Sequence, residues 1–175
     1  MDAQELAEIA HQAHRREERR IGMTMAVFAA LLAVTTMLGH RAHTEEVVLQ
    51  TQAADAWAFY QAKNGRAHMY DANAQLAELS GPPGVTLAMT FIARADTERK
   101  DAAGIQRTAE GREEETRTAA RRALFYDASE IFLEVAIVLC SIALLADALF
   151  FWKVSFASAV AGCLIALYGW LGRSS

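Results

Sequence analysis

Proline is almost missing from this chain of 175 residues: there are two, adjacent, in Gly81-Pro82-Pro83-Gly84. Proline breaks helix interiors, so its absence on both sides leaves long helices free to run. Cysteine is equally scarce, and Cys140 and Cys163 both fall inside apolar runs. They read as small packing residues and exclude a disulfide framework or a cysteine metal pair. Charge is missing from whole stretches, since Ile21–Gly39 and Val154–Gly172 contain none in 19 residues each. At 1.5 Å per residue such a run covers roughly 28 Å, close to the hydrocarbon thickness of a bilayer. No glycine-rich phosphate loop, nucleophile elbow or Ser/His/Asp arrangement is visible, so nothing here supports an enzyme. A net charge of −4 argues against nucleic acid as a partner.

What is present is segregated. The chain is 53% hydrophobic and 22% charged, and the two classes occupy different segments. A third apolar stretch, Ile131–Trp152, carries only Glu134, Asp147 and the polar Ser141. The first run is read as an uncleaved anchor, because five acidic residues precede it and no small-x-small site precedes Arg41-Ala42-His43. The fold class predicted is an all-α membrane protein with three transmembrane helices and a long extramembrane antiparallel helical hairpin between the first and second. Its segments are an amphipathic N-terminus at 1–20, a first span at 21–39, the hairpin at 40–128 with its tip at 81–84, a second span at 129–150 and a third at 154–172.

The N-terminal segment places Leu6, Ile9 and Ala13 on one face and ends in Arg15-Arg16-Glu17-Glu18-Arg19-Arg20. Such a segment suits the surface of an anionic leaflet. From His40 to Ser80, Leu49, Ala53, Ala56, Trp57, Tyr60, Ala67, Tyr70 and Ala74 recur at helical spacing. The weak point is Asn64-Gly65, a common turn dipeptide, where a kink is conceivable. Gly81-Pro82-Pro83-Gly84 must end this helix, with glycine suited to the left-handed position. Beyond it, positions 88, 91, 95, 98, 102, 105, 109, 112, 116, 119, 123 and 126 follow the coiled-coil period, and alanine stands where leucine is usual. Arms of about 40 residues would project roughly 60 Å. Small seam residues bury little area each, so the hairpin calls for help from neighbours. Ser155/Ala159/Cys163 and Ser158/Gly162/Ala166 give the last span two small-residue faces, for packing on the second span or in an oligomer.

Local charge counts do not orient the chain. Arg15, Arg16, Arg19, Arg20 and Lys153 lie on one side, and Arg41, Arg117, Arg121, Arg122 and Arg173 on the other. Weighting the first span favours a cytoplasmic N-terminus and an external hairpin.

Three stretches carry a resemblance: Gly39-His40-Arg41-Ala42-His43, the block from Gln52 to Lys63 containing Trp57 and Tyr60, and Ala123 to Ile131. In these the chain resembles the bacterial DUF4337 family of uncharacterised membrane proteins, over most of its length after Arg20. The resemblance implies a periplasmic hairpin, because family members tend to carry basic residues in the turn between the last two spans. Here that turn, Asp147 to Lys153, departs from the pattern. Family members usually lack Asn64-Gly65 at this place, which implies an ordinary helix through it.

Glu134 and Asp147 are the candidate intramembrane polar residues. Asp147 can face headgroups or pair with Lys153, and Glu134, one turn past Glu130, sits near an interface or lines an ion path. His40/His43 and His11/His14 have the spacing of ligand pairs but no third partner beyond Glu46 or Glu18, so they read as polar anchors, with no metal or other cofactor expected. Trp57, Tyr60, Lys63 and Tyr70 are the candidate partner-binding residues, against the plainer reading that the aromatics, with Phe59, fill the seam. The expected function is a non-enzymatic scaffold of the bacterial inner membrane, self-associating as a homo-oligomer or binding a protein partner through the hairpin. The alternative is a small homo-oligomeric ion or proton channel using Glu134.

Overall fold

The computed structural model describes residues 3–172; of the side chains before Arg15, only those of Glu8 and Gln12 are described. Three helices make up the described residues: α1 (Ala3–Glu78), α2 (Pro82–Ala146) and α3 (Leu149–Leu171). Each contains a segment long and apolar enough to cross a membrane. The compositional boundaries near residues 20 and 39 are not breaks, because α1 passes through both. The charged residues there are good helix formers, and nothing removes a backbone donor. Leu6, Ile9, Ala13, His11 and His14 lie outside the described side chains, and Arg173 lies outside the described residues.

Asn64-Gly65 does not interrupt α1 either. Glycine in a helix interior costs about 0.5–1 kcal/mol relative to alanine. That cost is met locally, where Ala67 is fully buried and Lys63 and Arg66 are held by ion pairs. The connection between α2 and α3 is shorter than the expected Asp147–Lys153 turn. Only Asp147 and Ala148 separate the helices. Asp147 takes a left-handed φ of 50°, a conformation that aspartate tolerates better than most residues.

The chain divides into two compact units. One comprises residues 1–43 and 120–175, the other residues 44–119. In the first, Ile21, Phe28, Leu133, Ala136, Cys140, Ala143 and Ala159 form a core shared by all three helices. The small-residue faces of α3 turn inward on α2: a Cβ added at Gly162 would stand 3.0 Å from the Ser129 carbonyl oxygen, and one at Gly169 would stand 2.9 Å from Phe125 Cβ. That close approach lets the Ser129 hydroxyl donate to the Gly162 carbonyl at 2.8 Å and the Ser158 hydroxyl donate to the Phe132 carbonyl at 2.7 Å. These interhelical bonds satisfy two buried hydroxyls.

The second unit pairs the later part of α1 with the first part of α2. Every seam position anticipated from 88 to 119 is buried or half-buried, and so is every anticipated position from Leu49 to Ala74. The turn joining the arms is tight for two separate reasons. Gly81 takes φ +76°, the left-handed cap that closes α1. At Gly84 an added Cβ would fall 1.9 Å from the Ala77 carbonyl oxygen, so only glycine lets the helices meet there. The two prolines open α2, where the missing N–H groups would have lacked helical partners anyway.

Candidate functional site: a carboxylate in an apolar face and an ionic seam

Glu134 stands in the middle of a heptad frame on α2. Seven residues before it, Asp127 accepts a hydrogen bond from His43 of α1 at 3.1 Å. Seven residues after it, the Ser141 hydroxyl reaches Met25 of α1 at 3.5 Å. Residues a heptad apart share a helix face, so Glu134 lies on the stripe that borders α1. The level follows from contacts along the same helix pair, in which Gly39 lies against Tyr126 and Met25 against Ser141. Interpolation sets Glu134 opposite Leu32, about 10 Å inside the Gly39 end of the uncharged run and about 16 Å from its Ile21 end. The carboxylate is therefore deeper than its sequence distance from Glu130 suggests.

Its surroundings are apolar and open. Glu134 is exposed, and so are Ile131 at 61% and Val138 at 56% beside it on the same helix. Among the described residues it makes no hydrogen bond or ion pair. Asp127, Glu130 and Glu134 fall at i, i+3 and i+7, a row entering the apolar layer from the end where His43 meets Asp127. Asp147 is placed differently. It lies in the α2–α3 turn and, with Glu17 and Glu18, lines a hollow of about 10 Å³, which is room for one water at most.

The aromatic arm is largely committed to its own unit. Trp57 meets Tyr60 edge to face at 5.6 Å, and Tyr70 stacks on Phe91 at 6.2 Å with the Arg94 guanidinium 6.0 Å from its ring centroid. All three rings are half-buried, as the seam-filling reading expects. Phe59 is the exception at 53% exposed. Lys63 is also engaged, because its ammonium donates to Asp101 at 2.7 Å and Glu98 at 3.1 Å, while Arg66 reaches Glu98 at 3.2 Å. Arg99 bridges Asp71 and Asp96 further along. The Asp101 and Glu98 hydrogen bonds hold the Lys63 pKa above its ordinary value. The Lys63 hydrogen bond, outweighing desolvation and helped by Arg66, holds Glu98 below the usual carboxylate range.

Sequence reasoning singled out Glu134, Asp147, Trp57, Tyr60, Lys63 and Tyr70 as candidates but did not bring any two together across helices. It missed Glu98 and Asp101 as the partners of Lys63, and Ser129 and Gly169 as contact points of α2 and α3. The signal for Glu98 was its place in the period-3.5 seam, where it was the one acidic residue in an otherwise mostly apolar series. His40 and His43 stand on α1 where it borders α2, and among the described residues no three His, Cys, Asp or Glu side chains converge as metal ligands.

A family profile described as a domain of unknown function, DUF4337, matches residues 17–172. No curated protein and no solved structure matches the chain.

Proposed function

The chain belongs to the DUF4337 family, whose description carries no activity, and from the geometry we propose a non-enzymatic integral membrane scaffold that associates with itself. The carrying observation is Glu134. An ionisable group near the middle of a span costs about 2.5–3.5 kcal/mol when it faces lipid. A second copy covering the α2 face of Ile131, Glu134 and Val138 removes that exposure. A two-fold pairing brings the two carboxyls together, and one proton shared between them removes one of the two charges. The paired arms then stand outside the bilayer as a hairpin. Its ionic seam closes the arms on themselves and leaves Phe59 as the exposed ring for a protein partner.

Orientation follows the arginines at 15, 16, 19 and 20, which favour a cytoplasmic N-terminus and a periplasmic hairpin in a bacterial inner membrane. Crosslinking tests the association. Val138→Cys in native membranes is expected to give a disulfide-linked dimer, while Leu167→Cys, on the exposed face of α3, is not. A strict monomer in nanodiscs by native mass measurement would remove the proposal.

The row of Asp127, Glu130 and Glu134 favours a second reading, a small oligomeric proton or cation channel. It requires flux in proteoliposomes that falls at least tenfold on Glu134→Gln. Flux indifferent to that change counts against it.

A further inference from the structure

The turn of the second unit is the least charged part of that unit. From Leu79 to Ala93 there is no ionisable side chain, although the arms beyond are dense with ion pairs. Most of the large apolar residues here do not turn inward. Leu79 is 83% exposed, Met89 67% and Leu76 64%, and Val85, Leu87 and Ile92 are each between 44% and 50% exposed. The buried part of the turn is made by alanines 74, 77 and 88, with Phe91 packed on them. Phe91 aside, the large apolar side chains have been put outside.

Their arrangement matters as much as their exposure. Val85, Met89 and Ile92 share one flank of α2 by i, i+4, i+7 spacing, and Leu87, two residues before Met89, falls on the opposite flank. Leu76 lies on α1 and Leu79 past its end. A docking patch for a folded protein or for a second copy is one-sided and needs about 800 Å² on one face. This apolar surface instead surrounds the turn. Surrounding burial is what immersion in a lipid interface provides, since lipid has no preferred side. The segment also lacks lysine and arginine, which excludes attraction to anionic headgroups as the driving force. The length fits as well, because α2 rises roughly 15 Å from the turn to Ile92, about half the hydrocarbon thickness. Two carboxylates limit the depth: Glu78, at the end of α1 and exposed, and Asp71, beside the Tyr70 that stacks on Phe91.

We propose that the turn around Gly81–Gly84 is a lipid-inserting tip, which seats Leu79, Leu87 and Met89 in the surface of a neutral bilayer. This is separate from the self-association of the first unit and stands or falls independently of it.

The test uses the full chain in phosphatidylcholine nanodiscs, mixed with phosphatidylcholine vesicles and floated on a gradient. Co-flotation is expected, unchanged when a fifth of the vesicle lipid is anionic. Leu79→Ser with Leu87→Ser, both at exposed positions and so compatible with the fold, is expected to lower partitioning at least tenfold. Glu78→Gln is expected to raise it. Leu79→Trp should be quenched by brominated lipid placed only in the vesicles. No flotation, flotation only with anionic lipid, or nanodisc pairs forming through the tips without vesicles would each overturn the proposal.

Discussion

Replacing Gly84 with alanine probes how the two arms are held at their turn. The new methyl carbon would fall 1.9 Å from the Ala77 carbonyl oxygen and 3.0 Å from its carbon, whereas ordinary contact begins near 3.4 Å. The start of α2 must therefore retreat from the end of α1 by more than about 1 Å, a gap that forfeits roughly half of each contact's attraction. The alanines at 74, 77 and 88 and the ring of Phe91 share this contact. At about 0.8 kcal/mol per buried methyl, half the packing of the three alanines amounts to about 1 kcal/mol. Backbone strain of the overpacked kind adds about 1–2 kcal/mol. A total of about 2–3 kcal/mol corresponds to a roughly 30- to 150-fold loss of amide exchange protection in the first turns of α2. Hydrogen exchange with mass readout on the full chain in nanodiscs measures this. Gly104→Ala is the control, with nothing within 4 Å of its added Cβ, and is expected to be neutral or to stabilise by about 0.5–1 kcal/mol. Protection within threefold of the parent in Gly84→Ala would refute the reasoning that close backbone approach sets the turn.

Gly162→Leu is expected to force α3 from α2 and break the Ser129 to Gly162 hydrogen bond, destabilising the first unit by about 2–4 kcal/mol in a steric-trapping measurement. Leu133→Ala removes the largest fully buried side chain of that unit and should cost about 2–5 kcal/mol in the same assay. Arm pairing in the second unit, followed by energy transfer between labels on the two arms, should depend on pH at both extremes. The depressed Glu98 contributes stability that is present above the ordinary carboxylate range and lost as pH falls through its lower folded-state value. The raised Lys63 contributes stability that is present below the ordinary lysine value and lost only as pH rises through its higher one. Lys63→Met should abolish the alkaline limb and move the acid limb up, and an unchanged profile would refute the assignment.

Much of the fold was legible because it is written in local rules. The uncharged runs, the proline-free arms and the period-3.5 alanine series each state a helix and its buried face without reference to anything distant. The seam positions from 88 to 119 are buried or half-buried for that reason. Helix ends were less legible where charge and apolar composition change but the hydrogen-bond ladder does not, as at Arg20-Ile21 and Gly39-His40. The turn after α2, expected over Asp147 to Lys153, was overestimated, since Leu149 to Lys153 already belong to the first turns of α3.

The sequence by itself determined three helices with apolar segments, a turn beside Pro82 and the small-residue faces of α3, since these depend on propensity, period and length. The turn itself is residues 79–81, and Pro82-Pro83-Gly84, expected as part of the tip, already belong to α2. Only the tertiary structure decided what each polar residue does. It joined Lys63 to Glu98 and Asp101 across 35 or more positions of chain, set Glu134 at the level of Leu32, and showed that Gly84 is required by a backbone on the other arm. The reason is that pairing and depth are properties of register between helices. A single helix fixes which residues share a face, but the sliding of one helix past another is settled by the fit of side chains such as Gly162 on Ser129 and Gly39 on Tyr126.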